Sequence, residues 1–420
     1  MTRRVPRLRR ALAQARRLAT GLLLPLVSTT GCVADGGEGA DVGQGGSTGD
    51  TTGAATARLG DPVPGLSDAE RGRFLLGRAL FERLATPEEG LGPLYNAQRC
   101  SDCHDAPAVG GGGDRVPVRK VSRFADGRCS LLRDRGGDNL QQRVSPALAA
   151  RGFGAETDPA EATGGAWVIA PPLFGPGLLA AVSAADLEAA ADPDDRDGDG
   201  IRGRLARLDD GSPAPFGRKG DAVSVRDFVE QALLFELGFT SPRFPDEEAH
   251  NGVPLPADVD PMPDPEMTER AVTLLTDYVR YLAPPAPAVV TGPAADTVAR
   301  GEAVFTSVGC VGCHTPTLRT GSAPEAVLAD VEIHPWSDLL LHDLGYGDGD
   351  LCTPRARPGE YRTAPLWGLR HRSRYLHDGS ATTVGDAVRR HGGEAAAAVG
   401  AFQALSEADR RALVRFLMSL

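Results

Sequence analysis

The sequence predicts a mainly α protein built from two similar helical halves, the first of which is enlarged by long loop insertions. Three observations predict this class. The motif Cys-x-x-Cys-His occurs twice, at 100–104 and 310–314. Each copy follows a helix-forming segment that contains Gly-x-x-x-Phe, at 77–81 and 301–305. Each half also ends with apolar residues at helical spacing, and matching features in the same order around both motifs indicate an internal repeat.

The individual helices are predicted from capping and periodicity. Ser67 and Glu70 form a capping box that opens the first helix, and the second half begins with a helix around 296–307. The closing stripes follow the i, i+3, i+4, i+7 pattern at Leu275, Tyr278, Val279 and Leu282, and again at Leu413, Phe416, Leu417 and Leu420. This order of elements around a Cys-x-x-Cys-His motif resembles the cytochrome c fold. We therefore expect two cytochrome c-like domains, at 59–293 with its Pro-rich linker and at 294–420.

The charge of the chain is unevenly placed. The formal net charge is −11, but residues 1–31 hold seven arginines and no acid, so the remainder carries 38 basic and 56 acidic groups, a net of −18. A protein that binds nucleic acid must neutralise phosphates with Lys and Arg, so we expect no nucleic acid among the partners. The same acidity disfavours binding to an anionic membrane surface. A length of 420 residues is typical of two or three domains.

The N-terminus predicts export. Residues 1–31 combine an Arg-rich start with an apolar run that is too short to span a bilayer, as in a signal peptide. The run ends at Thr-Thr-Gly-Cys32, which resembles the lipobox of bacterial lipoproteins; the alternative is an ordinary signal peptide that leaves Cys32 free. Residues 32–58, rich in Gly, Ser and Thr, predict a flexible tether. We expect a periplasmic protein or an outer-membrane lipoprotein, with membrane contact only through the lipid anchor.

The two Cys-x-x-Cys-His motifs predict two covalently bound haem c groups. In this attachment signature the two thiols lie one helical turn apart and add to the porphyrin vinyl groups, while the adjacent histidine reaches the iron. A closed zinc site needs four ligands, which two pairs 210 residues apart would have to supply together. A thioredoxin-like redox pair would need a βαβ pattern around the motif, which this sequence does not show. The predicted residues are Cys100, Cys103 and His104 for haem 1, and Cys310, Cys313 and His314 for haem 2.

Further segments carry a resemblance to a known family. They lie at 172–179, 197–204, 216–219, 337–345, 363–369 and 375–380. Together they resemble the bacterial di-haem oxidoreductases, a peroxidase family related to di-haem cytochrome c peroxidase and to the methylamine-utilisation di-haem enzymes. The last segment, with its His-Asp-Gly-Ser, is similar to a segment of the peroxidases. The resemblance covers most of residues 66–420.

The resemblance implies a peroxidase-like oxidoreductase. In such an enzyme haem 2 accepts electrons from a small redox donor protein, and haem 1 reacts with peroxide or another small oxidant. Haem 1 then needs an open or displaceable sixth position, whereas haem 2 needs both axial positions filled. The alternative is a non-catalytic di-haem electron-transfer protein, in which the sixth position of haem 1 would be filled as well.

Histidine and methionine are placed unevenly along the chain. After His104 there is no His before position 250 and no Met before position 262, and the loop that follows offers only Lys120 as a basic nitrogen of this kind. We therefore expect an open haem 1. In the related peroxidases a Met ligand follows the His-Asp-Gly segment by fourteen residues, and the same count from His377 gives His391. The resemblance thus implies His391 as the sixth ligand of haem 2, with His342 as the alternative.

Peroxide cleavage also needs a group that moves a proton between the two oxygens. The related peroxidases place a Gln and a Glu near the open haem, and the similar stretch here implies Glu236 for this role with Gln231 as its companion. The alternative is that Glu236 is a solvated residue on an amphipathic helix. The related enzymes also carry a Trp between the haems, but the similar segment 216–219 contains none.

A short acidic loop is a candidate calcium site. Asp195, Asp197 and Asp199 alternate along the chain with glycine nearby, as oxygen ligands do in calcium loops. The position at which an EF-hand would carry its bidentate Glu is Ala206. The loop is therefore either a shorter calcium loop or a solvated turn.

Two cysteines remain after the haem and lipid sites are assigned. These are Cys129 and Cys352. In an oxidising compartment two such thiols indicate a disulfide, which would join the insertion of the first half to the second half. The alternative is two unrelated buried thiols.

Overall fold

The structure, a computed structural model, describes residues 57–420. The predicted signal peptide, Cys32 and nearly all of the tether lie outside the described residues. The described part contains the helices α1 (Asp68–Glu82), α2 (Pro146–Ala149), α3 (Pro176–Ala180), α4 (Ala184–Ala190), α5 (Val225–Leu237), α6 (Glu269–Tyr281), α7 (Pro293–Ser307), α8 (Val384–Arg389), α9 (Ala396–Ala404) and α10 (Glu407–Leu417). Its strands are β1 (Leu94–Tyr95), β2 (Gly113–Ala125), β3 (Arg128–Ser130), β4 (Asn139–Leu140), β5 (Arg143–Val144), β6 (Gly164–Ala170), β7 (Leu318–Arg319), β8 (Glu332–Ile333), β9 (Leu341–Asp343) and β10 (Glu360–Arg362).

Helices α1 and α6 cross at a glycine. The capping box is present, because Ser67 Oγ accepts from the Glu70 backbone N–H and the Glu70 carboxylate accepts from the Ser67 backbone N–H. At Gly77 a Cβ atom would lie 2.0 Å from the carbonyl oxygen of Leu274 in α6. Only glycine lets the two backbones approach so closely.

Helices α7 and α10 repeat this arrangement in the second half. A Cβ atom at Gly301 would lie 2.1 Å from the carbonyl oxygen of Ala412 in α10. Helix α7 begins at Pro293, three residues before the predicted start, because Pro suits the first turn of a helix. The predicted repeat of a glycine crossing before each Cys-x-x-Cys-His motif is confirmed.

The mainly α prediction holds only in part. The long insertion after the first motif forms a four-stranded antiparallel sheet rather than loops alone, with β2 pairing to β3, β4 and β6. The thirteen residues of β2 include Val118 and Val121, which are buried on the sheet. The register sets Lys120 of β2 opposite Asn139 of β4.

Two large apolar clusters form the core of the described residues. The first surrounds the α1–α6 crossing and the second surrounds the α7–α10 crossing. The first cluster also takes in Leu328, Leu340 and Trp367, which lie beyond the Pro-rich linker. The domain limits at 59–293 and 294–420 stay a prediction.

Within residues 57–420, none of the helices combines the length and the apolar character needed to cross a bilayer.

The glycine crossing is open to a direct test. We expect Gly77→Ala to lower the free energy of unfolding by about 1–3 kcal/mol, because the added methyl group overpacks the contact with α6. Gly72→Ala, on the same helix with no atom within 4 Å of the new Cβ, should instead raise stability by about 0.5–1 kcal/mol. Urea unfolding followed by circular dichroism measures both changes. Equal stability of the Gly77→Ala variant and the natural protein would contradict the close approach.

Candidate functional site

A cavity of about 1020 Å³ is lined by residues of both Cys-x-x-Cys-His motifs. Its walls come from the helices of both glycine crossings, from the inserted sheet and from the loops after β10. A volume of this size lies at the upper end of the range for small-molecule and cofactor pockets.

His104 enters this cavity from the turn formed by the first motif. Its backbone N–H donates to the carbonyl of Cys100, which closes the turn. Its Nδ1 lies 3.0 Å from the carbonyl oxygen of Gly111. A carbonyl only accepts, so Nδ1 carries the proton and Nε2 keeps the lone pair. Burial lowers the pKa of His104 to about 4, so the ring is neutral.

His314 repeats this geometry. Its Nδ1 lies 2.9 Å from the carbonyl oxygen of Trp336, so Nε2 again holds the lone pair. Burial lowers the pKa of His314 to about 4. The ring centroids of Phe81 and His104 are 6.2 Å apart, and those of Phe305 and His314 are also 6.2 Å apart. The Gly-x-x-x-Phe repeat therefore supplies the same aromatic wall to both histidines.

The four motif cysteines are free and half-buried. Burial raises the pKa of Cys100 and Cys103 to about 12 and that of Cys310 to about 11. A second contribution at Cys103 comes from the nearby carboxylate of Glu236.

His391 lines the same cavity. It follows α8, and its Nδ1 lies 2.8 Å from the carbonyl oxygen of Ala387. Nε2 therefore carries the lone pair, as in the two motif histidines. Burial lowers the pKa of His391. Burial is the main cause of the low pKa of His314, and the nearby His391 ring lowers this pKa further.

His342 has a different environment. Its Nε2 lies 2.8 Å from Asp338 Oδ2 and its Nδ1 lies 2.8 Å from Glu394 Oε2. Burial would lower the pKa of His342, but hydrogen bonds with Asp338, Cys313 and Glu394 raise it to about 12. Both ring nitrogens then carry protons, and neither has a lone pair to offer a metal. The structure thus argues against His342 as the alternative ligand.

His377 belongs to a hydrogen-bonded cluster. Its Nε2 lies 3.1 Å from the hydroxyl of Tyr361, and the two rings stack with centroids 4.4 Å apart. The Tyr361 hydroxyl donates to Asp350 Oδ1 at 2.7 Å. These contacts hold the loop that carries His377 against β10.

Glu236 lies at the end of α5 and lines the cavity. The side-chain amides of Asn96 and Asn139 donate to its two carboxylate oxygens. Burial raises the pKa of Glu236 to about 7, against the opposing effects of Lys120 and of the two amide hydrogen bonds. Glu236 is half-buried and hydrogen-bonded, which disfavours the alternative of a solvated helix residue. Gln231 also lines the cavity, but its amide donates to the Asp221 carbonyl at 3.4 Å rather than to Glu236.

Three arginines of the cavity wall are half-buried, and none of them forms an ion pair within residues 57–420, although Asp221 lies near Arg218 and Arg362. Burial lowers the pKa of Arg218, Arg362 and Arg372 to about 10. Their observed hydrogen bonds are to backbone carbonyls, and Arg372 Nε has no partner within residues 57–420. Buried guanidinium groups favour an anionic partner. Haem carries two propionates, so these arginines, the neutral histidines and the paired thiols all fit that group.

The acidic loop and the remaining cysteines lie beside the cavity. Asp195, Asp197 and Asp199 each bring one carboxylate oxygen within 4.8 Å of the others, and calcium at this loop stays a prediction.

Cys129 of β3 and Cys352 form a disulfide, with Cα atoms 5.9 Å apart. The disulfide ties the inserted sheet to the second half of the chain.

Sequence reasoning did not find Asn96, Asn139 or the three arginines. The two asparagines come from short segments near β1 and at β4, far from Glu236 along the chain. Arg218 lies in the segment 216–219 that carries the resemblance, but the sequence assigns it no role. No motif marks the other four residues, because their places at or beside the cavity arise only in the folded chain.

Solved structures similar to this chain include hydrazine synthase from Kuenenia stuttgartiensis (14% identity, 91% of this chain and 100% of that chain covered, TM-score 0.39). Others are a MauG-like protein associated with microbial copper homeostasis (15%, 86% and 92%, 0.40) and the diheme peroxidase BthA from Burkholderia thailandensis E264 (15%, 87% and 89%, 0.38). No curated protein matches. The family model described as "Di-haem oxidoreductase, putative peroxidase" matches residues 161–420, and the chain therefore belongs to the di-haem oxidoreductase family.

Proposed function

We propose that the protein is an exported, peroxidase-like di-haem oxidoreductase. In this proposal haem 2 would accept electrons from a small redox donor protein, and haem 1 would react with peroxide or another small oxidant. The observation that carries this proposal is the asymmetry of the cavity. A second neutral histidine, His391, lies near the His314 motif, whereas a half-buried carboxyl with a pKa near neutrality, Glu236, lies near the Cys103 motif.

The motif residues would hold the two haems. Cys100 and Cys103 would attach haem 1, Cys310 and Cys313 would attach haem 2, and His104, His314 and His391 would offer Nε2 lone pairs to the irons. The hydrogen bonds from Nδ1 to backbone carbonyls fix the ring orientation and the tautomer that metal binding requires. The half-buried arginines would pair with the propionates. When bound, the haem irons supply the redox chemistry.

Glu236 moves the proton. A pKa of about 7 means that the carboxylate and the carboxylic acid are both populated near neutral pH, which suits a group that must accept and then release a proton. Asn96 and Asn139 hold the two oxygens in place, and their hydrogen bonds favour the charged form. Lys120 acts in the same direction.

Export is supported by the N-terminal sequence and by the disulfide. The signal-like residues 1–31 and the lipobox-like Cys32 predict delivery to the periplasm or the outer membrane. A disulfide between Cys129 and Cys352 is typical of an oxidising compartment.

The ligand assignment is tested by removing His391. In the natural ferric protein we expect one low-spin haem, held by His314 and His391, and one high-spin haem at His104. His391→Ala should convert the low-spin signal to high-spin and leave cyanide binding at haem 1 intact. Electron paramagnetic resonance measures both. The exposed His334→Ala variant is the control and should leave the spectra unchanged. Two low-spin haems in the natural protein would favour the electron-transfer alternative instead.

The role of Glu236 is tested by Glu236→Gln. We expect kcat for peroxide reduction to fall by about 10²–10⁴-fold, because the amide cannot accept the proton. Since the acid form of Glu236 cannot act as a base, the activity of the natural protein should fall as the pH drops through about 7, and this dependence should vanish in the variant. Glu302→Gln, on the exposed side of α7, is the control. Full activity of Glu236→Gln with an unchanged haem spectrum would refute the role.

Asn139→Ala tests the position of Glu236. The variant removes a hydrogen bond to the charged carboxylate, so the pKa of Glu236 should rise and the activity profile should move to higher pH. Steady-state kinetics at a series of pH values measure the shift. An unchanged profile would show that the amide does not stabilise the carboxylate.

A further inference from the structure

Four acidic side chains converge in the connection between α5 and α6. This connection, residues 238–268, forms no helix or strand in the structure, and connections of such length are uncommon in compact domains unless they have a function. Glu247, Asp260, Asp264 and Glu266 each bring one carboxylate oxygen within 4.8 Å of the others. The group is separate from the cavity that holds the two motifs, because none of the four lines that cavity.

Three of these carboxylates have a buried oxygen that lacks a partner. Glu247 Oε1, Asp260 Oδ2 and Glu266 Oε1 each expose less than 1 Å² and receive no hydrogen bond from any part of residues 57–420. A buried carboxylate oxygen is costly unless it is hydrogen-bonded, paired with a cation or bound to a metal. Three such atoms at one place therefore indicate a missing positive partner.

The described side chains do not supply that partner. Arg226 and Arg243, which belong to α5 and to the start of the connection, pair with Glu230 and Asp227 instead. Burial and the neighbouring Glu266 and Asp260 raise the pKa of Glu247 to about 9. Without a cation, repulsion among the four groups is thus relieved only by taking up protons.

Thr240 orients two of the carboxylates. Its backbone N–H donates to Glu266 Oε2 at 2.9 Å, and its hydroxyl lies 2.8 Å from Asp264 Oδ1. These contacts engage one oxygen of Glu266 and leave Oε1 of the same side chain without a partner.

We propose that Glu247, Asp260, Asp264 and Glu266 bind a calcium ion. Calcium takes six to eight oxygen ligands at about 2.3–2.6 Å, so two oxygens that bind the same ion lie no more than about 5 Å apart, and the four carboxylates bring their oxygens within 4.8 Å of one another. The ligands are all oxygens, which disfavours zinc, for which nitrogen and sulfur are preferred. Water and backbone carbonyls complete the shell. The ion orders the connection that follows α5, the helix that carries Glu236.

The test uses the full haem-loaded protein, freed of metal with EDTA and titrated with calcium chloride by calorimetry. Two variants separate the two acidic sites. The triple variant carries Asp195→Asn, Asp197→Asn and Asp199→Asn, and it should keep one calcium-binding event. The double variant carries Glu247→Gln and Asp260→Asn, and it should lose that event. One millimolar calcium should raise the urea midpoint of the natural protein and of the triple variant, but not that of the double variant, because a ligand that binds only the folded state stabilises it. Elemental analysis before EDTA treatment should find one calcium equivalent fewer in the double variant than in the natural protein.

Three outcomes would overturn the proposal. They are absence of calcium from the natural protein before and after titration, retention of the event in the double variant, and loss of the event in the triple variant alone. The haem spectrum reports whether each variant folds. Should the double variant fail to fold, Asp264→Asn replaces it, since this exposed side chain is tolerant of change, and it should weaken calcium binding at least tenfold. Unchanged affinity in Asp264→Asn would then reject the site.

Discussion

The hydrogen bonds from Nδ1 of His104 and His314 to backbone carbonyls are the interactions on which the chemistry of the cavity depends. Each bond selects the tautomer that leaves Nε2 free, and burial keeps both rings neutral. The acceptors, Gly111 and Trp336, belong to the segments that follow each motif. The chain after each Cys-x-x-Cys-His must therefore fold back on its own histidine before the site exists.

The glycine crossings bring together the helices that lie beside each motif histidine. At Gly77 and Gly301 the two helices of each half touch backbone to backbone. This close contact places Phe81 and Phe305 at the same distance from their histidines. The two halves are thus alike in the helices and rings that surround each motif histidine.

The halves differ in what the rest of the chain adds. The inserted sheet and α5 bring Asn139 and Glu236 to the first motif, whereas the segment after α8 brings His391 to the second. A carboxyl with a pKa near 7 and a neutral imidazole have different uses, the first in proton transfer and the second in metal binding. The asymmetry on which the proposed function rests lies in these additions.

The sequence by itself determined the repeat, the capping box and the helix crossings, and it predicted the haem attachment residues, because each depends on local spacing that a short segment carries. It did not predict the four-stranded sheet, since the pairing of β2 with β4 and β6 joins segments that lie apart in the chain. The environment of Glu236 was decided only by tertiary structure, because its pKa depends on burial and on amides from Asn96 and Asn139. His342 shows the same limit: only the folded chain sets two carboxylates against its ring and removes its lone pairs.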